Sequence, residues 1–308
     1  MSPGVLVIGA SGVDLVGRAQ APLRLGTSNP GEVRLSNGGV ARNVAENLAR
    51  LGLEVTLLTA LGSDDQGRQV LDHTSRAGVD VAHALVVEGS RTGAYLALLD
   101  DQGAMHLALD DMRVVEAITA DYLEDRRALF EQAEAVFFDA NLPPSPIEAI
   151  VRLARQAGVP VAADPTSMAL ATRLIPHLAD LWLITPNEAE AETLAPHDVP
   201  HTDRDRGLDA ARHLVARGVR IAMVTMAEFG VAYATAEVSG HVPAVRTDIL
   251  DPTGAGDALT AAVLFGLLND IPLDESVRLG ASAAAVTLRH RGSVVPNLSL
   301  ELLYDQLR

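Results

Sequence analysis

The 308-residue chain contains no cysteine and no lysine, so all 24 of its basic residues are arginine. The absence of cysteine excludes disulfides and cysteine–zinc sites. The absence of lysine excludes a Walker A loop, which needs Gly-Lys-Ser/Thr, and a protein kinase, which needs a lysine on one strand. Any phosphate group must therefore be held by backbone amides, arginine or a metal ion.

Aromatic residues are also scarce, at 3% of the chain, and hydrophobic residues make up 48%. No hydrophobic run approaches the roughly 20 residues needed to cross a bilayer, and the first residues lack the basic segment of a signal peptide. The formal net charge of −16 argues against a nucleic-acid partner, because a polyanion requires a basic surface. We expect a cytoplasmic protein that binds neither membranes nor nucleic acid.

Short apolar runs alternate with amphipathic segments along most of the chain. The predicted strands are residues 5–8, 55–58, 136–138, 159–162, 181–184 and 221–224. Such alternation predicts a mainly parallel sheet with helices on both faces. Residues 12–37 and 89–113 interrupt it, and residues 94–109 have the pattern of a hairpin. We expect these segments to form a small β-lid at the edge of the sheet, although a surface hairpin without a role fits the same pattern.

The segment Asp251-Pro-Thr-Gly-Ala-Gly-Asp257 joins a predicted strand at residues 245–250 to a predicted buried helix at residues 258–268. Gly254 and Gly256 would let the backbone approach a ligand closely and direct successive amides towards it. With the positive end of the helix dipole, these amides predict a site for anionic oxygens. The final aspartate could take a proton from a hydroxyl that attacks phosphorus, or could simply cap the helix.

A second glycine-rich segment, Asn37-Gly-Gly-Val-Ala-Arg-Asn43, opens a predicted helix that ends at Gly52. Gly38 and Gly39 would allow backbone amides to meet a small polar ligand. Asn43, one turn into the helix, offers a donor and an acceptor to vicinal hydroxyls. Alone, this segment could be an ordinary helix start. Together, the two segments favour phosphoryl transfer to a small hydroxylated molecule.

The two segments, in this order, resemble those of the ribokinase-like family of carbohydrate and nucleoside kinases, and the resemblance covers essentially the whole chain. It extends to Gly9-Ala-Ser-Gly-Val-Asp14, Pro186-Asn-Glu-Ala-Glu190 and Val224-Thr-Met-Ala-Glu-Phe-Gly230. The family implies a three-layer α/β sandwich with a mainly parallel central sheet and a small β-lid. Here it would be a single domain of residues 1–308, with the lid from about 12–37 and 89–113. It also implies phosphorylation of a sugar hydroxymethyl group by ATP, with Mg²⁺ and in many members K⁺.

The resemblance also implies roles for individual residues. The catalytic base would be Asp257. The anion hole would be formed by Gly254, Ala255 and Gly256. The sugar hydroxyls would be bound by Asp14, Gly38, Gly39 and Asn43. Magnesium and its waters would be organised by Asn187 and Glu190. The nucleotide would contact Asn187, Thr225, Gly230 and the anion-hole glycines. In many members a monovalent cation lies beside the anion hole, where the backbone around Asp251 and Thr253, with the Gly292 region, would hold it.

Two positions depart from the family pattern. Gly12 stands where the first segment usually has asparagine, so one substrate contact is expected to be missing. Ala227 stands where the nucleotide segment usually has its first glycine, so that turn is expected to differ.

Within the family, the chain most resembles the pseudouridine kinases, through residues 27–31, 38–52, 95–103 and 110–123. These residues flank the expected sugar site and lid. Pseudouridine exposes one more ring N–H than uridine, which a polar group of the lid would recognise. The candidates are Ser28, Asp110 and Asp111, with Asn141 facing the same pocket.

Three alternatives stay open. A kinase of this family could instead act on ribose, another nucleoside or a phosphosugar, whose phosphate Arg42 could bind unless it lies on the helix surface. A nicotinamide-dependent oxidoreductase would need a Gly-x-Gly-x-x-Gly turn, but counting from Gly9 places Ser11 and Asp14 at the other two glycine positions. A catalytically silent nucleoside or sugar sensor would not need the intact Gly-Ala-Gly-Asp. Lids in this family often pair between subunits, so the resemblance also implies a homodimer through the lid.

Overall fold

The structure is a computed structural model that describes residues 4–196 and 203–307. Its strands are β1 (Gly4–Ile8), β2 (Gly12–Ala19), β3 (Gly31–Gly38), β4 (Glu54–Leu58), β5 (Ala60–Gly62), β6 (Leu85–Val87), β7 (Gly93–Leu99), β8 (Met105–Asp111), β9 (Ala135–Asp139), β10 (Val161–Asp164), β11 (Leu183–Ile184), β12 (Ile221–Thr225), β13 (Val231–Ala234) and β14 (Ser239–Val242). Its α-helices are α1 (Val40–Arg50), α2 (Asp65–Arg76), α3 (Ala120–Glu124), α4 (Arg127–Gln132), α5 (Pro144–Ala157), α6 (Met168–Ala171), α7 (Glu188–Leu194), α8 (Asp203–Ala216), α9 (Ala255–Leu268), α10 (Leu273–Leu288) and α11 (Leu300–Gln306). Short 3₁₀ helices occupy Arg113–Ala117, Thr172–Asp180 and Ala227–Phe229. None of the described helices is both long enough and apolar enough to cross a bilayer.

An eight-stranded sheet in the order β14-β13-β12-β11-β10-β9-β1-β4 forms the centre of the molecule. The strands from β12 to β4 are parallel, and β13 and β14 add an antiparallel edge. Alternate residues of β1 face opposite sides, as strand geometry requires. Leu6 and Ile8 pack in a core with α5 and α8, whereas Val5 and Val7 pack in a second core with α1, α9 and α10. The predicted three-layer arrangement around a mainly parallel sheet is therefore confirmed.

A separate four-stranded sheet in the order β3-β2-β7-β8 lies beside this centre, and β5 and β6 form a short parallel pair. Strand β2 pairs antiparallel with β3 and parallel with β7, and β7 and β8 form an antiparallel hairpin. The inner face of the four-stranded sheet, which we define by the row Asp14, Tyr95 and Asp110, borders a cavity. Its outer face carries aliphatic side chains. The two faces differ because successive side chains of each strand point to opposite sides of the sheet.

The strand predicted at residues 245–250 is wrong, because residues 243–249 have no regular secondary structure. Pro243 directly follows β14 and has no amide hydrogen with which to extend the pairing with β13. The amides of Leu250 and Asp251 instead donate to the carbonyl of Leu288, at the end of α10, over 2.8 and 3.2 Å. The glycine-rich segment that follows is therefore held in place by α10 rather than by a strand.

Candidate active site

A cavity of about 630 Å³ lies between the inner face of the four-stranded sheet and the starts of α1 and α9. Its polar lining consists of Asp14, Asn43, Tyr95, Asp110, Asn141, Thr166, Ser167, Asp251, Thr253 and Asp257. Within the described ranges, no arginine or histidine belongs to this lining. The cavity therefore offers carboxylates, amides and hydroxyls, a set of groups suited to a neutral molecule with several hydroxyls.

The start of α9 forms one end of the cavity. Gly254 caps this helix in the left-handed conformation, with φ of 78°, and a side chain there would overlap the carbonyl of Ser293. Because Gly254 is the cap, Asp257 is a first-turn residue and not the capping residue. The amides of a first helical turn have no partner within the helix and carry the positive end of its dipole. First-turn amides therefore lie at Gly254–Asp257, where the sequence predicts an anion site, and the amide of Ala255 makes one weak bond of 3.5 Å to the carbonyl of Pro252.

Asp257 projects into the cavity from this turn. Its Oδ2 accepts a hydrogen bond of 2.6 Å from Nδ2 of Asn43, so the two glycine-rich segments meet there. Burial raises the pKa of Asp257 to about 7, helped by the negative charges of Asp14 and Asp139, while the Asn43 hydrogen bond and the Arg42 charge oppose the rise. A carboxylate with a pKa near the operating pH is well suited to accept a proton from an attacking hydroxyl.

Asp14 faces the same space from β2 and is buried. Burial raises the pKa of Asp14 to about 6, with Arg42 lowering it and Asp251 adding to the rise. A side chain at Gly38 would overlap the Asp14 carboxylate, and one at Gly39, where φ is 95°, would overlap the carbonyl of Ala10. The paired glycines therefore leave room for the aspartate and for the turn into α1.

Asn43 is held in one orientation by its neighbours. Its Oδ1 accepts hydrogen bonds from the hydroxyl of Ser293, at 3.0 Å, and from the guanidinium of Arg42. Because donors surround Oδ1, the amide nitrogen is directed towards Asp257. Ser293, which lies 250 residues away along the chain, was not predicted for the site, and Arg42 was considered only as a ligand for the phosphate of a phosphosugar.

Arg42 was expected either to bind a substrate phosphate or to lie on the helix surface. Both expectations are wrong, because Arg42 is buried and is not part of the cavity lining. It is 1% exposed and forms an ion pair of 2.5 Å with Glu46, which also receives Nε of Arg50 at 2.9 Å and lies 3.2 Å from Nε2 of His73. Although burial acts in the opposite direction, Arg42 and Arg50 hold the pKa of Glu46 below its ordinary value. This buried pair stabilises α1 from behind and leaves Arg42 unable to bind a substrate phosphate.

Asn141 lines the cavity and is held there by Asp139, at the end of β9. The Asp139 carboxylate accepts the amides of Ala10 and Ala41, at 2.8 and 2.9 Å, and both the amide and Nδ2 of Asn141, at 3.0 and 2.9 Å. Burial raises the pKa of Asp139, and these hydrogen bonds oppose the rise. Asp139 thus joins the segment after β1, the start of α1 and Asn141. In the sequence, the only feature that marks Asp139 is its position as the last residue of a buried strand.

Asn187 and Glu190 lie at the start of α7 and form a reciprocal capping box. The Asn187 side chain accepts the Glu190 amide, and the Glu190 carboxylate accepts the Asn187 amide, each at 2.9 Å. Asp164, at the end of β10, was not predicted as a site residue. Burial holds its pKa well above the ordinary value, and the charges of Glu190 and Asp257 add to the rise. No three acidic, histidine or cysteine side chains of the described chain converge as direct metal ligands.

Of the predicted nucleotide residues, Gly254 lines the 630 Å³ cavity, whereas Asn187, Thr225 and Gly230 lie outside it. Thr225 donates its amide to the carbonyl of Pro186, at 2.9 Å, beside Asn187. Gly230 has φ of 98°, and a side chain there would overlap the carbonyl of Val242. Ala227, in the turn between them, has φ of 45°, a left-handed conformation that costs alanine more than glycine. Here alanine holds the conformation that the family's glycine would adopt without cost.

Asp251 is buried, and N–H groups surround its carboxylate. Oδ1 accepts the amide of Thr253 at 3.0 Å, and Oδ2 lies 3.4 Å both from the amide of Gly292 and from Nη1 of Arg34. Arg34 belongs to β3 of the four-stranded sheet. The residues predicted to lie near a monovalent cation, Asp251, Thr253 and Gly292, are therefore close together, and Arg34 lies beside them.

Ser28 and Asp111 lie apart from the cavity. Ser28 is exposed in the turn between β2 and β3. Asp111 is exposed and accepts two hydrogen bonds from Arg113, at 2.7 and 2.6 Å. Asp110, its neighbour on β8, lines the cavity instead, because successive residues of a strand face opposite sides. Among the acidic lid candidates, Asp110 is the one that the fold places in the site.

An α/β fold with an anion-binding helix start, a carboxylate at its mouth and a hydroxyl-binding cavity defines a phosphotransferase with an alcohol as acceptor. The model of the pfkB family of carbohydrate kinases matches residues 2–299, and the chain belongs to that family. It is 33% identical to the pseudouridine kinase of Escherichia coli strain K12, over 96% of this chain and 94% of that protein. It is 29% identical to the guanosine-inosine kinase of Exiguobacterium acetylicum, over 96% of this chain and 97% of that protein.

The solved structure of Arabidopsis thaliana ribokinase, complexed with ribose and ATP, shares the fold. Its TM-score is 0.86 at 20% identity, over all of this chain and 99% of that one. The expected ribokinase-like fold and kinase class are therefore confirmed. The oxidoreductase alternative is wrong, because a model of a kinase family matches residues 2–299.

Proposed function

We propose that the protein phosphorylates the 5′-hydroxyl of pseudouridine with ATP, giving pseudouridine 5′-phosphate and ADP. The observation that carries this proposal is the 2.6 Å contact between Asn43 and Asp257 in a cavity that Asp14 also lines. The similarity to the pseudouridine kinase of Escherichia coli supports the choice of substrate.

Asp257 accepts the proton of the 5′-hydroxyl as its oxygen attacks phosphorus. The amides of Gly254, Ala255 and Gly256 donate to the oxygens of the transferring phosphoryl group, whose charge the start of α9 favours. Positioning and charge stabilisation supply most of the rate, and the base contributes about 10²- to 10⁴-fold.

Asp14 and Asn43 bind the ribose hydroxyls, with Gly38 and Gly39 leaving the backbone space that this requires. The Asp14 carboxylate can accept from two adjacent hydroxyls at once. Oδ1 of Asn43 already accepts from Arg42 and Ser293, so the second N–H of its amide donates to a hydroxyl. The contact of Asn43 with Asp257 places the sugar next to the base. The cavity thereby orients the 5′-oxygen towards the start of α9.

The nucleotide lies along Asn187, Thr225 and Gly230, and bound Mg²⁺ would neutralise charge on its phosphates. Glu190 and Asp164 supply oxygens suited to the waters of that ion, since the described part of the chain offers no direct ligand cluster. The positive φ of Ala227 shapes the neighbouring turn for the nucleotide.

A phosphorylated sugar fits this cavity poorly. The lining includes the carboxylates of Asp14, Asp110, Asp251 and Asp257, and Arg42 is engaged behind it by Glu46. A second phosphate would be repelled at close range without a cation to pair with it. This argues for a neutral acceptor and against the phosphosugar alternative.

Asp110 recognises the base. It lies in register beside Tyr95, which itself pairs with Asp14, so the sugar and base contacts form one row across the sheet. A carboxylate there accepts the extra ring N–H that distinguishes pseudouridine from uridine. Asn141 adds an amide on the opposite wall.

The outer face of the four-stranded sheet pairs with a second copy of the chain. Two rows of aliphatic residues cross the strands in register, Leu35–Leu15–Leu96–Leu109 and Val33–Gly17–Leu98–Leu107. Val33, Leu35, Leu107 and Leu109 are each between 55% and 70% exposed. Neither row carries a charge, so two molecules of net charge −16 can meet there without repulsion at the contact.

The test is ADP release with Mg²⁺ across pseudouridine, uridine, inosine, ribose and fructose 6-phosphate. Strong turnover on pseudouridine alone supports the proposal. Turnover on inosine or ribose would retain the mechanism and replace the substrate. Binding of ATP without turnover on any of them would favour the silent sensor.

A further inference from the structure

The Asp251 carboxylate is a negative charge beside a site that must receive a phosphoryl group. It lies three positions before Gly254, the cap of α9, and its charge acts on the Asp14 carboxyl. An uncompensated carboxylate there would disfavour an anion at the start of the helix. Some positive group must therefore balance Asp251 if the anion hole is to work.

Arg34 provides that balance from the other side of the cavity. Its Nη1 lies 3.4 Å from Oδ2 of Asp251, and the pair joins residues 217 positions apart. Arg34 lies opposite Val16 in the β2–β3 register and so belongs to the inner face. Its side chain is 27% exposed and that of Asp251 is 6% exposed, so the pair is only partly screened by water.

The surroundings of the Asp251 carboxylate do not favour a monovalent cation beside it. Both carboxylate oxygens already accept N–H groups, from Thr253, Gly292 and Arg34. A potassium ion on Oδ2 would face a guanidinium on the same atom, and two positive charges at that distance repel. Each carboxylate oxygen of Asp251 thus has an N–H partner, and the Arg34 guanidinium brings the positive charge that an ion would supply.

We propose that Arg34 is a built-in cation that replaces a monovalent metal ion beside the anion hole. It acts through Asp251 and the Asp251–Gly254 turn, so it is a positioning residue that does not touch the substrate. Because Arg34 lies on the four-stranded sheet, the anion hole is balanced only while that sheet covers the cavity. The inference rests on the proposed phosphoryl transfer, but one of its tests needs no turnover.

The first test compares initial rates in KCl and in tetramethylammonium chloride at equal ionic strength. We expect the wild-type kcat to change by less than about twofold between the two salts. Arg34→Gln should lose roughly 10- to 100-fold in kcat in tetramethylammonium, because one preorganised charge is gone, and should regain part of it in KCl. Arg34→Lys, which keeps the charge, should stay insensitive to the salt.

Arg18→Gln is the matched control, because Arg18 is another arginine of this sheet, which bonds the carbonyl of Asp101 at 2.9 Å instead. The second test is thermal unfolding in the same two salts. The wild-type Tm should be equal in both, and K⁺ should raise the Tm of Arg34→Gln alone, because it then binds the folded state.

Activation of the wild type by K⁺ together with a K⁺-dependent rise in its Tm would overturn the proposal, as would an Arg34→Gln variant that behaves like Arg18→Gln. Absence of turnover on every acceptor would refute the proposed function. The melting comparison would still decide the role of Arg34.

Discussion

The amide nitrogen of Asn43 lies 2.6 Å from Oδ2 of Asp257, which joins the start of α1 to the start of α9 across the cavity. The contact places a hydroxyl-binding group and a proton acceptor at one point. It also opposes the rise that burial causes in the pKa of Asp257. We therefore expect Asn43 to affect both sugar binding and the ionisation of Asp257.

The activity should depend on pH through Asp257. A protonated carboxyl cannot accept a proton, so kcat/KM should fall as the pH drops through about 7, the pKa of Asp257. Asn43→Ala removes a hydrogen bond that stabilises the ionised form, so its acidic limb should move to higher pH. pH–rate profiles of both proteins measure the shift. An unmoved limb in the variant, with only KM raised, would contradict the coupling.

Glu46 should be important for stability without touching the substrate. Glu46→Gln leaves the buried guanidinium of Arg42 without its counter-charge, and breaking such a pair costs about 3–5 kcal/mol in the free energy of unfolding. Urea unfolding followed by circular dichroism measures this. Glu54→Gln, at the exposed start of β4, is the control and should change little. Equal stability of the two variants would show that the network is not structural.

Asp110 should determine the choice of base. Asp110→Asn replaces an acceptor-only carboxylate with an amide, which should weaken kcat/KM for pseudouridine by roughly 10- to 100-fold, about 1–3 kcal/mol. Uridine lacks the extra ring N–H, so its kcat/KM should be nearly unchanged. Asp111→Asn, on the outer side of the same strand, controls for the change in charge. An equal loss for both nucleosides would remove Asp110 from base recognition.

The outer face of the four-stranded sheet should hold a dimer together. Leu107 is 57% exposed at the β8 end of one aliphatic row, so Leu107→Arg places a charge in the contact and should give a monomer. Sedimentation velocity at micromolar concentration measures the mass. Val238→Arg, at a position that is 55% exposed in the β13–β14 turn, changes the net charge equally and should leave the dimer intact. A wild-type monomer would contradict the proposed pairing.

Sequence reasoning located the parts of the site that depend on local chain chemistry. Glycine pairs, helix starts and the Asp257 position are local features, and the structure brings Gly38–Asn43 and Gly254–Asp257 together at one cavity. It also predicted the hairpin of β7 and β8, because strand alternation and a turn are visible within a few residues.

What sequence reasoning missed depends on contacts between distant segments. Arg42 is an ordinary charged residue in the sequence, and its burial appears only when Glu46 and Ser293 surround it. Asp139 ends an apolar strand, but its four hydrogen bonds come from three residues in separate segments, Ala10, Ala41 and Asn141. Residues 245–250 have strand-like composition and lack a neighbouring strand to pair with. None of these outcomes follows from local propensity.

The most direct test of the account is turnover of pseudouridine by Asp257→Asn, with the product position read by phosphorus NMR. The wild type should give the 5′-monoester with one ADP for each product molecule. The variant should lose about 10²- to 10⁴-fold or more in kcat, while binding ATP with nearly unchanged affinity by calorimetry. Near-native turnover in the variant, or a wild-type product phosphorylated at another hydroxyl, would contradict the account.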